Sequence, residues 1–432
     1  MGRFLKKLSS ARVIALGFLS VILIGSILLS LPFSIRDGVS VNYIDALYTS
    51  TSAVCVTGLV VVDTADTFTP IGQFIIGLLI QIGGLGVTSI GAGVILAVGR
   101  KVDLKGRNLV RDAMNLDAGK GIVTFLKSVF FTTIAIELIG AILSFFVFVR
   151  DYSPLHAAGI SLFHSVASFN NAGFDILGGF TNLAPYRDNV FLNIVTCVLV
   201  VLGGIGFLVM KEVVHKKFKW KRFSMHTKVV ISTSIILIIV GTALFYLTEN
   251  ISLLAAFFHS VSARTAGFST VPLGTFSGAG LLLMIVLMVI GASPGSTGGG
   301  IKTSTFFVLL SGVKSAATNK SEKAFKYSLP SDAFKKACII LLMALLIILV
   351  STYLILVMEP QLSFIDALFE MSSAFGTAGL STGITTSLGV GAKILSMVIM
   401  YIGRLGPLTI ATLWYFSNGE RISYPEGNIA IG

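Results

Sequence analysis

The sequence predicts an all-α membrane protein of four tandem pseudo-repeats, on three observations. The first is composition. Apolar residues make up 54% of the 432 and charged residues 12%, about half the charged share of a soluble domain, roughly 25%. So few charges cannot cover a soluble surface of this size. The second is a series of apolar runs. A crossing helix needs about 20 mostly apolar residues, and eight stretches qualify: roughly 11–31, 71–97, 122–149, 190–210, 229–247, 279–310, 336–358 and 392–416. The third is a phrase of small and hydroxylated residues that recurs four times and closes on glycine. Its copies are IDALYTSTSAVCVTGL (44–59), ISLFHSVASFNNAGF (160–174), LLAAFFHSVSARTAGF (253–268) and IDALFEMSSAFGTAGL (365–380). Each is too short to cross and lies between two runs that can. Eight transmembrane helices with four re-entrant pore loops suit a central ion pore on a four-fold pseudo-axis.

In chain order, the basic start and apolar run of MGRFLKKLSSARVIALGFLSVILIGSILLSLPF resemble a secretory signal. The run is too long for one and no A-x-A-like cleavage site follows, so it reads as the first membrane helix. The units are expected over 1–99, 121–211, 228–312 and 335–417, with a tail at 418–432. The closing glycines Gly58, Gly173, Gly267 and Gly379 are 115, 94 and 112 residues apart. Asp45 and Asp366 each stand 13 residues before their glycine. They are expected to cap the pore helices, where a carboxylate satisfies free amides and the positive dipole end.

The helices that follow carry IGGLG (82–86), LGGIG (202–206), IGASPG (290–295) and IGRLG (402–406). In the first two, glycine serves mainly close helix packing. The third departs: GASPGSTGGGIKTST (291–305) must break a helix in mid-membrane. Irregular backbone at that depth is tolerated only within protein or beside a water-filled cavity. Gly291, Gly295, Gly298, Gly299 and Gly300, with Lys302, therefore border the path as a mobile element.

A cation entering the membrane exchanges water for protein oxygens, and backbone carbonyls supply them without full charge. Glycine permits the angles that turn carbonyls inward. The expected ion-contacting strands are Cys55, Val56, Thr57 and Gly58; Asn170, Asn171, Ala172 and Gly173; Arg264, Thr265, Ala266 and Gly267; and Gly376, Thr377, Ala378 and Gly379. One glycine per copy, against the G-Y-G of typical potassium channels, points to looser selectivity. The site is for an alkali cation, with no transition-metal spacing visible. Cys55, Cys197 and Cys338 form no disulfide framework.

The net charge of +12 does not indicate nucleic acid. If each unit starts and ends on one side, that side holds 25 of the 32 Lys and Arg. The opposite side holds Arg36, Arg150, Arg187, Arg264 and Lys393. The positive-inside rule then puts both termini in the cytoplasm of a multi-pass protein in the cell membrane. The stretch KEVVHKKFKWKRFSMHTK (211–228) suits lipid headgroups or a cytosolic partner.

Charges inside the apolar spans are costly and need a partner or a task. Arg404 faces the path as a gate charge or pairs with carbonyls of the glycine loop. Lys302 adjusts that loop or snorkels outward. Glu137 is a paired interior carboxyl or a transport group. Arg264 points away from the ions and is expected to pair with Glu370. Asp63 and Asp66 belong at the outer mouth, where negative charge concentrates cations.

TSAVCVTGL, FNNAGF, RTAGF and GTAGLSTG, with GASPGSTGGGIKT and IGRLGP, resemble the Trk/Ktr/HKT superfamily of potassium transport proteins, and its KtrB-type membrane subunits in particular. The resemblance covers essentially the whole chain. It implies K⁺ uptake, often sodium-stimulated, by a homodimer with one pore per subunit. It also implies a cytosolic RCK-type regulatory ring of the KtrA/KtrC kind, which would carry the nucleotide; no cofactor is expected in this chain. The loop and Arg404 match the family's gate region.

Two rival readings are weaker. GSTGGGIKT (295–303) nearly matches a phosphate loop, but Ile301 separates Gly300 from Lys302 and no α/β pattern surrounds it. An enzymatic reading therefore fails. A secondary transporter of an organic solute would favour inverted repeats, whereas these repeats share one direction.

Overall fold

A computed structural model describes residues 9–97, 110 and 121–413. The expected tail at 418–432 and the basic residues before Ser9 and within 100–109 and 111–120 lie outside them. The fold is helical, with one small hairpin pairing Lys323–Ala324 with Tyr327–Ser328.

Each unit begins with one long outer helix: α1 (Ser10–Ser30), α5 (Ile122–Phe148), α9 (Met225–Thr248) and α13 (Ala333–Met358). These four are long and apolar enough to cross a membrane unbroken. Their apolar side chains face outward: Ile24 and Ile27 on α1, Phe131 and Ile142 on α5, Ile236 and Ile239 on α9, and Leu342 and Tyr353 on α13 are all exposed. Meanwhile Ser50, Ser52, Ser165, Ser260, Ser372 and Ser373 are fully buried. An apolar exterior around a hydroxyl-rich interior inverts the soluble pattern and suits a lipid surround. The chain is a multi-pass membrane protein.

Short pore helices follow: α2 (Tyr43–Val54), α6 (Pro154–Phe169), α10 (Leu253–Ser262) and α14 (Phe364–Gly376). The inner helices come in two pieces: α3 (Pro70–Leu85) with α4 (Val87–Ala97), α7 (Val190–Gly204) with α8 (Phe207–His215), α11 (Gly278–Val289) with α12 (Thr303–Thr318), and α15 (Val390–Leu405) with α16 (Pro407–Leu413). Hydroxyls and amides start several of them: Thr69 caps α3 ahead of Pro70, Asn189 caps α7, Ser252 caps α10 and Ser277 caps α11.

The broken inner helix was expected in the third unit alone. It occurs in all four. Gly86, Gly206 and Gly406 end their helices at φ 84°, 95° and 86°, a backbone that other residues adopt only under strain. The α7–α8 pair bends by 100° there. The packing role expected of the glycines in the first two units is present at Gly83 and Gly203, and Gly403 of the fourth shares it. They lie against the carbonyls of Val54, Phe169 and Phe375, where a Cβ would clash with backbone.

Each inner helix packs on the pore helix of the next unit: α3 on α6, α7 on α10, α11 on α14, and α15 back on α2. That closed sequence is a four-fold ring. A repeated joint fixes each pore helix to its outer helix. Ser50, Ser165 and Ser260 donate to the carbonyls of Ile22, Glu137 and Ile238 at 2.7, 2.6 and 2.8 Å. Gly25, Gly140 and Gly241, one turn on, leave room for these serines. In the fourth unit Met371 stands in the place of the pore-helix serine, and Ser351 takes the glycine's place and itself bonds Ile348 O at 3.0 Å.

Candidate ion pore

The four closing glycines meet. Gly58 abuts Ala172 O and the Cα of Gly173, Gly173 abuts Gly267, Gly267 abuts Gly379, and Gly379 abuts Thr57 O and the Cα of Gly58. No side chain fits anywhere in this ring. The backbone is left-handed at these glycines, with φ of 93°, 66°, 80° and 78°, and again two residues earlier at Val56, Asn171, Thr265 and Thr377. Four non-glycine residues in that region are costly and mark a constrained site.

The N–H groups of these strands donate backward into the pore helices. Thr57 N reaches Ser52 O at 2.8 Å, Ala172 N reaches Ala167 O at 2.8 Å, Ala266 N reaches Ser262 O at 2.9 Å, and Ala378 N reaches Ser373 O at 2.9 Å. Gly58 N adds a bond to Ser52 Oγ at 3.0 Å. The carbonyls of Thr57, Ala172, Ala266 and Ala378 receive no hydrogen bond among the described residues. Four strands with donors tied behind and acceptors free can strip and hold a bare cation. The pore helices end beside them, so their negative dipole ends add to the effect.

The glycine loop lies directly below. Its ends close on each other through Ile301 N to Val289 O at 3.0 Å. Gly299 N donates to Thr377 Oγ1 at 3.0 Å, and Gly298 lies against Thr265 Oγ1. On the second quadrant, Thr297 N reaches Gly203 O at 3.3 Å and its hydroxyl reaches Phe169 O at 3.3 Å. Arg404 donates to Thr297 O on the loop and to Gly83 O and Gly84 O, the last at 3.1 Å, at the end of α3. One guanidinium thus ties the loop to the first quadrant, at a helix C-terminus that favours a cation. Lys302 does not snorkel; its Nζ holds Gly298 O and Gly299 O at 2.8 and 3.3 Å. Thr297 and Thr377 were missed as loop anchors in the sequence, where hydroxyls are too common to stand out.

Two cavities flank the ring and the loop. The outer one, about 680 Å³, is lined by the four glycines with Asp63 and Asp175 among others. The inner one, about 920 Å³, is lined by Pro294, Gly300, Lys302, Lys211 and Glu212 among others. Asp63 and Asp66 also hold the second unit's outer loop, accepting from Phe180 N at 2.7 Å and Gly179 N at 3.0 Å. At Asp175 burial pushes the carboxyl pKa up to about 6. The N–H of Leu177 opposes this, and the charges of Asp63 and Asp66 add to it.

Several expected contacts differ. Arg264 does not pair with Glu370. It lines a small cavity with Asn171, Ser234 and Ala292, and its Nε has no partner among the described residues. Glu370 instead accepts from Ser381 Oγ at 2.8 Å and Thr385 Oγ1 at 2.5 Å, which fastens the segment after the fourth strand. The pore-helix carboxylate thus takes both of these bonds from hydroxyls of its own quadrant. Asp45 caps nothing with its side chain; it pairs with Lys393 of α15 at 2.7 Å. Asp366 is not the cap either: Ser363 is, its hydroxyl accepting from Asp366 N at 3.2 Å and donating to Asp366 Oδ2 at 2.6 Å. Cys55 and Asn170 are fully buried at the heads of their strands.

A family model described as TrkH, cation transport protein, matches residues 12–419. The Ktr system potassium uptake protein B of Bacillus subtilis is 36% identical over 434 residues, covering 98% of this chain and 96% of its own. The potassium/sodium uptake protein NtpJ of Enterococcus hirae is 36% identical over 448 residues, covering 100% and 99%. The crystal structure of the potassium transporter TrkH from Vibrio parahaemolyticus superimposes with a TM-score of 0.71 at 20% identity, over 92% of this chain and 86% of that one.

Proposed function

The chain belongs to the TrkH family of cation transport proteins, and on that premise we propose that it takes up K⁺ through the ring of Gly58, Gly173, Gly267 and Gly379. The observation that carries this reading is the ring itself: four tied-back strands with free carbonyls between two cavities. A cation gathers at the acidic outer cavity, loses its water to the carbonyls, and passes toward the inner cavity. Na⁺ competes because the ring is short. The units run as drawn from the sequence, with both termini cytoplasmic.

The loop is the gate. Anchored to Thr297, Gly83 and Gly84, Arg404 closes the path by holding the loop and by its own charge. A cytosolic nucleotide-binding ring opens it by pulling on the ends of the third and fourth units, and two copies of the chain pair in the membrane. Rubidium uptake into proteoliposomes, competed by K⁺ and Na⁺, tests the reading with and without the ring subunit. Arg404→Ala, or deletion within 294–300, raises flux and weakens dependence on the ring. Variants as closed as wild type would place the gate elsewhere.

A further inference from the structure

The serine joints give the four units a common register, and one position in it is out of pattern. The outer-helix residues whose carbonyls take the pore-helix serines are Ile22, Glu137 and Ile238. Ile348 corresponds in the fourth unit, three residues before Ser351 as Ile22 is three before Gly25. Three units carry isoleucine there, so packing does not require a carboxyl. A carboxyl in a membrane interior is costly and is kept for a task.

Glu137 has a specific one. Its Oε1 accepts from Asn170 Nδ2 at 3.0 Å and its Oε2 from Gln81 Nε2 at 3.3 Å. Asn170 Nδ2 also reaches Gln81 Oε1 at 2.8 Å, which closes a triangle, and Val166 O of its own pore helix at 2.9 Å, so its two protons are shared among three acceptors. Asn170 is fully buried and Glu137 is 6% exposed. Asn170 leads the second strand, where the other strands have Cys55, Arg264 and Gly376. The amide that only this strand carries at its head and the out-of-pattern carboxyl therefore fall in one unit and bond each other. Gln81 comes from the inner helix of the first unit, so the triangle also pins the seam between two quadrants. One turn further along that helix, Gly84 O receives Arg404.

We infer that Glu137 is a positioning residue for the filter: with Gln81 it fixes Asn170, and through it the second strand, and so sets discrimination between K⁺ and Na⁺. This rests on the ring being the K⁺ filter. Among the described residues no carboxylate bonds the head of another strand, at Cys55, Arg264 or Gly376, so loosening this one makes the ring less uniform and lets the smaller ion compete.

Rubidium uptake by the full-length protein in proteoliposomes, competed by K⁺ and by Na⁺, tests the inference on Glu137→Ile, Glu137→Gln, Gln81→Leu and Gly379→Ser. Glu137→Ile, which gives the second unit its siblings' residue, lowers the K⁺/Na⁺ ratio about tenfold, the equivalent of about 1.4 kcal/mol. Glu137→Gln restores it, because an amide oxygen still accepts from Asn170. If Glu137→Ile does not assemble, Gln81→Leu removes another corner and shifts the ratio the same way. An unchanged ratio in Glu137→Ile, or in Gln81→Leu where that variant stands in, overturns the inference if Gly379→Ser loses discrimination. If Gly379→Ser keeps its ratio too, the filter reading falls and takes this inference with it.

Discussion

Serine placed at each closing glycine in turn grades the ring by how tightly it is built. A Cβ at Gly173 or Gly267 has its nearest neighbour, a glycine Cα, at 2.7 or 2.8 Å. At Gly58 and Gly379 the nearest atom is closer still and is a strand carbonyl oxygen, of Ala172 and Thr57 respectively. All four sites add left-handed strain of about 1–2 kcal/mol for a residue with a side chain. At Gly58 and Gly379 the strand carbonyl oxygen must also retreat by roughly an ångström or more to reach a normal contact of about 3.5 Å. At Gly173 and Gly267 the oxygens of Ala266 and Ala378 stand at 2.9 Å and need to give only about half as much. The expected loss of K⁺ over Na⁺ discrimination is thus about thirtyfold or more at Gly379→Ser and Gly58→Ser, and about three- to tenfold at Gly173→Ser and Gly267→Ser. Rubidium uptake, competed by K⁺ and Na⁺ and normalised to reconstituted protein, gives the ratio for each variant. A reversed ranking, or four equal losses, would refute the claim that carbonyl displacement sets the damage. Four unchanged ratios would remove the filter from this ring.

Other predictions concern the charges around it. Arg404→Lys leaves one ammonium where a fork spans Thr297 and the end of α3; uptake without the ring subunit should lie between wild type and Arg404→Ala, and a wild-type level would show that charge alone closes the path. Glu370→Ala leaves the Ser381 and Thr385 hydroxyls without their acceptor and should cost about 1–3 kcal/mol in thermal unfolding. Its coupling to Arg264→Ala in a double-mutant cycle should stay within about 0.5 kcal/mol; a larger coupling would restore the ion pair between them. Lowering external pH through about 6 protonates Asp175 and removes a negative charge from the outer cavity. Uptake should fall with that profile, by no more than about fivefold, since a unit charge at a few ångströms through water is worth about 1 kcal/mol. Asp175→Asn should flatten the profile, and an unaltered profile would assign the titration to another group.

What depends on neighbours along the chain was legible before any fold was known. Apolar runs of spanning length, the recurring phrase with its closing glycines, and the proline and glycines of 291–300 are local signals, because span length, helix breaking and left-handed backbone are decided within a few residues. They made the helical membrane fold, the four units and the residues worth watching legible. Tertiary structure decided which groups face one another across quadrants. Arg264 just past one pore helix and Glu370 within the next carry opposite charge, yet each meets its own surroundings. Asp45 meets Lys393 from the far end of the chain. Glu137 was visible as an anomaly, but its triangle joins residues 56 and 89 positions from Gln81. Gly86 and Gly206 looked like packing glycines and, with Gly406, stand where their helices end at positive φ; of the three, only Gly206 lies against the glycine loop, at Pro294 O. Partner choice depends on angles and depths around the axis, and those exist only once all four units have closed on one another.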